Sequence, residues 1–337
     1  MKTAVTGASG HIGAALVREL LASGHTVRVL VRRDTRGLEG LPVERIEGDL
    51  GMEESLCRTF SGVDVVFHAA GRISVEQSDA ARLFETNVEG TRHVLAACRA
   101  CGIRRLVHFS SVEALSQDQS GPAAHGAPKA PEDWQLVDGS SRDPYAGSKA
   151  DGERAVRQAI DGGLDAVILY PTAVIGPFDF KPSMLGRAVV ALAKGQFPAL
   201  VPGGFDWVDV RDVAQAAVAS AERAPAGSRY LLGGRTASLV ELAGLVCAAT
   251  GARRPELVVP AALALAWAPI AATAARVSGT PALFTSYTLR TLAGGRSVSH
   301  DRAARDLEYR PRGLAQTVRD TCRWFAENGL LEGVAVR

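Results

Sequence analysis

The 337-residue sequence predicts an α/β fold, a doubly wound parallel sheet of the Rossmann kind with a smaller C-terminal region beside it. Three observations carry that expectation. Short apolar runs without polar alternation recur at 3–6, 26–31, 43–47, 63–69, 105–110 and 166–170, as strands do when both faces of a parallel sheet are covered. Helical stretches separate these runs, and six such β–α repeats imply a doubly wound sheet. Beyond Pro171 the alternation loosens, and Gly/Pro punctuation appears at 176–177, 202–204, 233–234 and 294–295. The chain therefore divides into 1–171, the main sheet domain, and 172–337, mainly a substrate-binding region. Strands at 208–209 and 229–232 are candidates to return to the main sheet.

Taken in order, the first strand runs into a glycine-rich turn, and Gly10 opens a helix over 12–22. Met52 to Glu54 precede a short helix at 55–60, residues 91–100 read as a helix, and Asp143–Pro144 open a helix from Tyr145 to Gln158. Residues 117–142, rich in Gly, Pro, Ser and Asp, read as a long loop, disordered or a lid. The Ala-rich, nearly uncharged stretch 260–277 is shorter than the roughly 20 residues of a spanning helix and is broken by Pro269. It reads as a helix lining an apolar pocket or resting on a membrane surface, and no membrane span is expected.

Composition removes several function classes. With 47% hydrophobic and 22% charged residues, the chain is an ordinary globular one and not a disordered segment. Lys+Arg 38 against Asp+Glu 36 leaves a net charge of +2, and the cations are scattered, so no nucleic-acid partner is expected. Five cysteines fit a reducing compartment. Cys98 and Cys101 form a CxxC inside a helical stretch with no second pair at metal spacing, so they read as buried side chains and no metal is expected. Met1–Lys2 leads straight into the first strand without room for a signal peptide, and a cytoplasmic location is expected.

The sequence from Thr6 to Gly13 follows a strand and opens a helix, the context of a dinucleotide fingerprint. Gly7 allows the tight turn, Gly10 lets backbone approach a pyrophosphate, and Gly13 lets helix and sheet pack closely; Ser9, His11 and Ile12 share the loop. Arg32 and Arg33 end the second strand where a carboxylate would read a ribose 2′-hydroxyl, and guanidinium groups suit a 2′-phosphate, which favours NADP(H). The nearby Asp34 leaves NAD(H) open. Asp49, with Leu50, is placed to meet the adenine; its alternative is a helix cap. Tyr145 and Lys149 lie one helical turn apart, so the ammonium is expected to lower the phenol's pKa for proton transfer. Ser110 and Ser111 end the strand at 105–110, at the sheet edge where ligands sit.

The order of these motifs, the TGxxGxxG turn, His68-Ala69-Ala70-Gly71, Asn87, Ser110-Ser111 and Tyr145xxxLys149, resembles the extended short-chain dehydrogenase/reductase family over nearly the whole chain. The resemblance implies Tyr145 as acid/base, Lys149 as its partner and holder of the nicotinamide ribose, and Ser111 as carbonyl binder. It also implies that Ala69, Ala70 and Gly71 lie against the cofactor and that Asn87 is a structural or proton-relay residue, with a helix N-cap as the alternative. Tyr170, Pro171 and Thr172 open a segment similar to the one that dihydroflavonol-reductase-like and hydroxysteroid-dehydrogenase-like members place beside the nicotinamide. Residues 178–195 and 260–277 resemble small-domain elements of epimerase/reductases associated with isoprenoid metabolism. The expected function is an NADP(H)-dependent ketone or aldehyde reductase, or secondary-alcohol dehydrogenase, on a small apolar molecule of isoprenoid, steroid or polyketide type. The alternatives are a sugar-nucleotide epimerase or dehydratase with tightly held NAD, and a non-catalytic NADP-binding redox sensor. The resemblance further implies a homodimer through the helices containing Thr91 and Tyr145. Asp209 and Asp212 read as structural, with a helix cap at Asp212; His125 and His300 read as lone, non-catalytic histidines.

Overall fold

The structure, a computed structural model, describes residues 1–74, 76–116, 134–138, 143–197, 199–266, 292 and 298–337. Seven strands form the main sheet: β1 (Lys2–Thr6), β2 (Thr26–Val31), β3 (Glu44–Glu47), β4 (Val65–His68), β5 (Arg105–Phe109), β6 (Ala166–Pro171) and β9 (Arg229–Leu232), in the order β3-β2-β1-β4-β5-β6-β9. Every pairing in it is parallel. The order reverses between β1 and β4, which opens a crevice at their carboxyl ends where such folds bind ligands. The apolar runs become central strands because side chains on both faces find helices to pack against. Phe67 and Val107 face α1 (His11–Ala22) and α7 (Val210–Arg223), whereas Val66, Leu106 and Ile168 join the core that includes residues of α2 (Glu53–Phe60), α4 (Gly90–Ala100) and α5 (Pro144–Asp161). Phe67 is fully buried, and burying such a side chain stabilises the fold by about 1.5–3 kcal/mol. Edge strand β3 is largely exposed and correspondingly charged.

The strands after Pro171 divide. β9 adds to the main sheet, while β7 (Ala173–Ile175), β8 (Gly204–Asp209) and β10 (Arg235–Ser238) form a second sheet in the order β10-β8-β7. A separate apolar cluster includes Trp207 from this sheet with side chains of α6 (Met184–Ala193), α8 (Leu239–Thr250) and α10 (Leu314–Glu327). The cap of α7 is Asp209, whose carboxylate accepts the Arg211 N–H at 2.8 Å. Asp212 instead sits in the first helical turn and accepts the Arg312 N–H at 2.7 Å, which corrects the expectation of a cap there. Of α3 (Ala80–Phe84) and α9 (Asp301–Leu307), the second begins after His300, whose ring stacks edge-on against Tyr309 at 5.5 Å. Most of 117–142 and of 260–277, and His125, lie outside the described residues; 261–266 are helical. Among the described residues no helix is long and apolar enough to cross a membrane. Cys98 is buried, and burial pushes its thiol up to about 12.

Candidate active site

The glycine-rich turn lies at the crevice. Gly7 has φ +74°, a left-handed conformation open to glycine, and a Cβ on it would collide with the backbone of Ala69 and Ala70. A Cβ on Gly13 would run into the Gly7 carbonyl, so glycine there lets α1 sit directly on the turn. Gly10 caps α1 without any side-chain hydrogen bond, and its Cβ would meet only the Gly7 oxygen, at 3.3 Å. The amino end of α1 thus carries no side-chain cap, and a helix N-terminus of this kind is a cradle that suits a phosphate. Two neighbours serve elsewhere. Ile12 packs on the core, and His11 donates from Nε2 to the Pro177 carbonyl at 3.0 Å, tying the cradle to the segment after β7; Ser9 is half-buried.

At the tip of β2 both Arg32 and Arg33 are exposed. Arg32 approaches Asp49 at 3.8 Å, and Arg33 makes no ion pair among the described residues. Asp34, the carboxylate that left the cofactor open, is engaged by Arg36 at 3.0 and 2.7 Å, which holds its carboxyl down at about 2. Asp49 accepts the Gly51 N–H at 3.1 Å and does not cap α2, whose N-cap is Met52; the helix-cap alternative for Asp49 is thereby removed. Leu50 is buried beneath Gly90, and its carbonyl accepts from His93 at 3.0 Å.

Across the crevice, α5 begins at Asp143, which accepts the Tyr145 N–H at 2.9 Å. Tyr145 lies beside Ser111, whose hydroxyl accepts the Glu113 N–H at 3.2 Å. Burial pushes the phenol up to about 12, with Ser111 opposing. Lys149 is buried, and its ammonium donates to the Phe109 carbonyl at 2.6 Å. Desolvation pulls it down to about 8, with Glu153 opposing. The expected lowering of the phenol by Lys149 is absent from this arrangement, because the ammonium is turned to Phe109 and desolvation dominates at Tyr145.

A buried polar row joins the two sides. Thr91 gives its one hydroxyl proton to the Asn87 carbonyl at 2.7 Å, so it accepts from Nε2 of His68 at 3.1 Å, and Nδ1 of His68 accepts from Thr6 at 2.8 Å. Burial first, and then Lys149, pull His68 down to about 3, so it is neutral. Asn87 lies within a π-helical turn, Glu85–Glu89, and caps nothing. Its amide oxygen accepts the Arg72 N–H at 2.8 Å, and its nitrogen donates to the Arg72 carbonyl at 3.0 Å and to Ser148 at 2.9 Å. These bonds pin the loop of Ala69, Ala70 and Gly71, where a Cβ on Gly71 would stand 3.8 Å from the Lys149 nitrogen.

After β6, Tyr170 is fully buried and its hydroxyl donates to Glu153 at 2.6 Å, so the side chain is turned into the core. Pro171 is buried too, and half-buried Thr172 donates to Asp206 at 2.9 Å. Sequence reasoning missed Glu153, Asp206, Thr91 and His108. Only Glu153 carried a signal, its place one turn beyond Lys149 on the same helix face.

Comparison with known proteins places this geometry. The model of the NAD dependent epimerase/dehydratase family matches residues 3–233. The chain belongs to that family. The curated relatives of this family member include sterol demethylase protein B of Methylococcus capsulatus, 35% identical over 98% of this chain and 100% of the relative. A putative dihydroflavonol 4-reductase of Synechocystis is 31% identical over 97% of this chain and 95% of its own length. Among solved structures, the crystal structure of gox2253 superposes with a TM-score of 0.83 at 31% identity, covering 98% of this chain and 99% of that one. The protein is thus an enzyme of the extended short-chain dehydrogenase/reductase type, with reductases among its relatives.

Proposed function

We propose that this family member is an NADP(H)-dependent oxidoreductase that reduces a ketone or aldehyde, or oxidises the matching secondary alcohol, on an apolar substrate of isoprenoid or steroid type. The observation that carries the reading is the placing of Tyr145 beside Ser111 at the carboxyl edge of the sheet, with Lys149 one turn along and the glycine cradle across the crevice. The backbone of Gly7, Ser9, Gly10 and Gly13 suits the pyrophosphate, Arg32 and Arg33 suit a 2′-phosphate, and the loop of Ala69 to Gly71 flanks the ribose side near Lys149. Bound there, the dinucleotide supplies the hydride.

Ser111 orients the carbonyl oxygen and polarises it. A phenol pushed up to about 12 keeps its proton at neutral pH, so Tyr145 enters the reductive direction as the acid and delivers that proton to the oxygen. Lys149, as an ammonium near the loop of Ala69 to Gly71, suits the ribose hydroxyls of the bound dinucleotide. The substrate class is supported by the names of two relatives spanning nearly the whole chain, a sterol demethylase protein and a dihydroflavonol reductase, both acting by name on polycyclic molecules.

The Tyr145→Phe variant is expected to lose about 10²–10⁴ in turnover with NADPH and an apolar ketone, since general acid catalysis contributes that much. Full turnover in Tyr145→Phe overturns the reading. Mass spectrometry of nucleotide released on denaturing the purified protein separates the family's other chemistry. Stoichiometric retained NAD would favour an epimerase or dehydratase, whereas an exchangeable site preferring NADPH supports the reductase.

A further inference from the structure

Glu153 is completely buried, yet it is a carboxylate at the centre of three donors. One oxygen accepts from Ser110 at 2.5 Å; the other accepts from Tyr170 at 2.6 Å and from Arg157 at 2.9 Å. These partners come from three elements. Ser110 follows β5 and directly precedes Ser111, Tyr170 lies near the end of β6 beside Pro171, and Arg157 lies one turn further along α5. Residues 145, 149 and 153 form one face of α5, and this face meets the same strand end: Tyr145 lies beside Ser111, Lys149 donates to the Phe109 carbonyl, and Glu153 accepts from Ser110. A buried charge is retained only when paired and hydrogen-bonded, and an apolar core would need none here.

Resting on the functional reading above, we propose that Glu153 is a positioning residue that fastens the Ser111 strand end to the catalytic helix and sustains the positive charge of Lys149 one turn away. Around Lys149 stand Glu153 and Tyr145 from its own helix, His68 from β4 and His108 from β5; the two histidine rings lie 5.3 Å apart. Both histidines are pulled down by burial and stay neutral, which makes Glu153 the anion supporting the ammonium in this group. Arg157 partly offsets that anion.

The test is the pH profile of kcat/KM in the full-length protein with NADPH and an apolar ketone. A Glu153→Gln variant keeps similar hydrogen-bonding shape and loses the charge, so Lys149 deprotonates at lower pH. The loss relative to the unsubstituted protein is expected to grow from under about threefold at pH 6.5 to about tenfold or more at pH 8.5, one pKa step being tenfold. Thermal unfolding confirms that the variant folds. If it does not fold, Arg157→Met provides the same test with opposite sign, moving the basic limb upward. A superimposed profile, or an equal loss at every pH, overturns the proposal, because a purely structural role lowers the whole curve. Tyr145→Phe, run alongside, keeps the two readings apart. Loss of turnover in Tyr145→Phe with an unmoved profile in Glu153→Gln defeats the Glu153 role alone, whereas full turnover in Tyr145→Phe defeats the functional reading itself.

Discussion

At the scale of single residues, the proposed preference for NADP(H) rests on two guanidinium groups and on a carboxylate engaged elsewhere. Asp34 is close enough in sequence to read a ribose hydroxyl, but Arg36 holds it in a two-point contact, and Arg32 and Arg33 are left exposed at the strand tip. Charge-assisted hydrogen bonds are worth about 1.5–3 kcal/mol each, so replacing both arginines is expected to weaken NADPH binding roughly 10²–10⁴-fold. NADH binding, which lacks the 2′-phosphate, is expected to change less than about threefold in the same fluorescence titration. Equal weakening of both cofactors would show that the arginines do not read the phosphate. The residue identities here were legible in the sequence. The state of Asp34 was not, because its partner is chosen by a turn geometry that the strand pattern leaves open.

At the scale of elements, the junction between β8 and α7 shows how a buried carboxylate organises packing. Asp209 caps α7, accepts both the side chain and the N–H of Arg211, and accepts the Thr317 hydroxyl from α10 at 2.9 Å. Arg211 in turn reaches Asp320, also on α10, at 2.7 Å. These bonds join the end of β8 to the C-terminal helix. Asp209→Ala removes a cap worth about 1 kcal/mol and strips a buried hydroxyl and guanidinium of a partner, so a loss of about 2–3 kcal/mol in urea unfolding is expected. A change below about 0.5 kcal/mol would contradict this account. The bonds from Arg211 and Thr317 outweigh desolvation and hold the carboxyl below its usual range. Its contribution is therefore present above the unfolded pKa and disappears as pH falls through the folded value, so the variant's deficit should shrink in acid.

At the scale of the whole molecule, α3, α4 and α5 leave a groove of about 310 Å³ lined by Phe84, Val88, Arg92 and Arg154, with Phe84 46% exposed. We expect a homodimer through the faces of α4 and α5, eluting at twice the chain mass at micromolar concentration, and Phe84→Glu should shift it toward the single chain. Elution of the unsubstituted protein at the mass of one chain would refute this. Much at this scale follows from contiguous residues. The unalternating runs determined which segments become parallel strands, because a strand covered on both faces has no polar side; the glycine spacing determined the cradle; the 145–149 spacing determined a shared helix face. Tertiary structure decided what depends on residues far apart in the chain: the cap at Asp209 in place of Asp212, the bonds of Asn87 to the Arg72 loop, the turn of Tyr170 into the core, and the joining of Ser110 to Glu153 across 43 positions. Local spacing specifies which face a side chain occupies, but which buried donor meets which acceptor is set only when the sheet and its helices close on one another, since each such group must find a partner once water is gone.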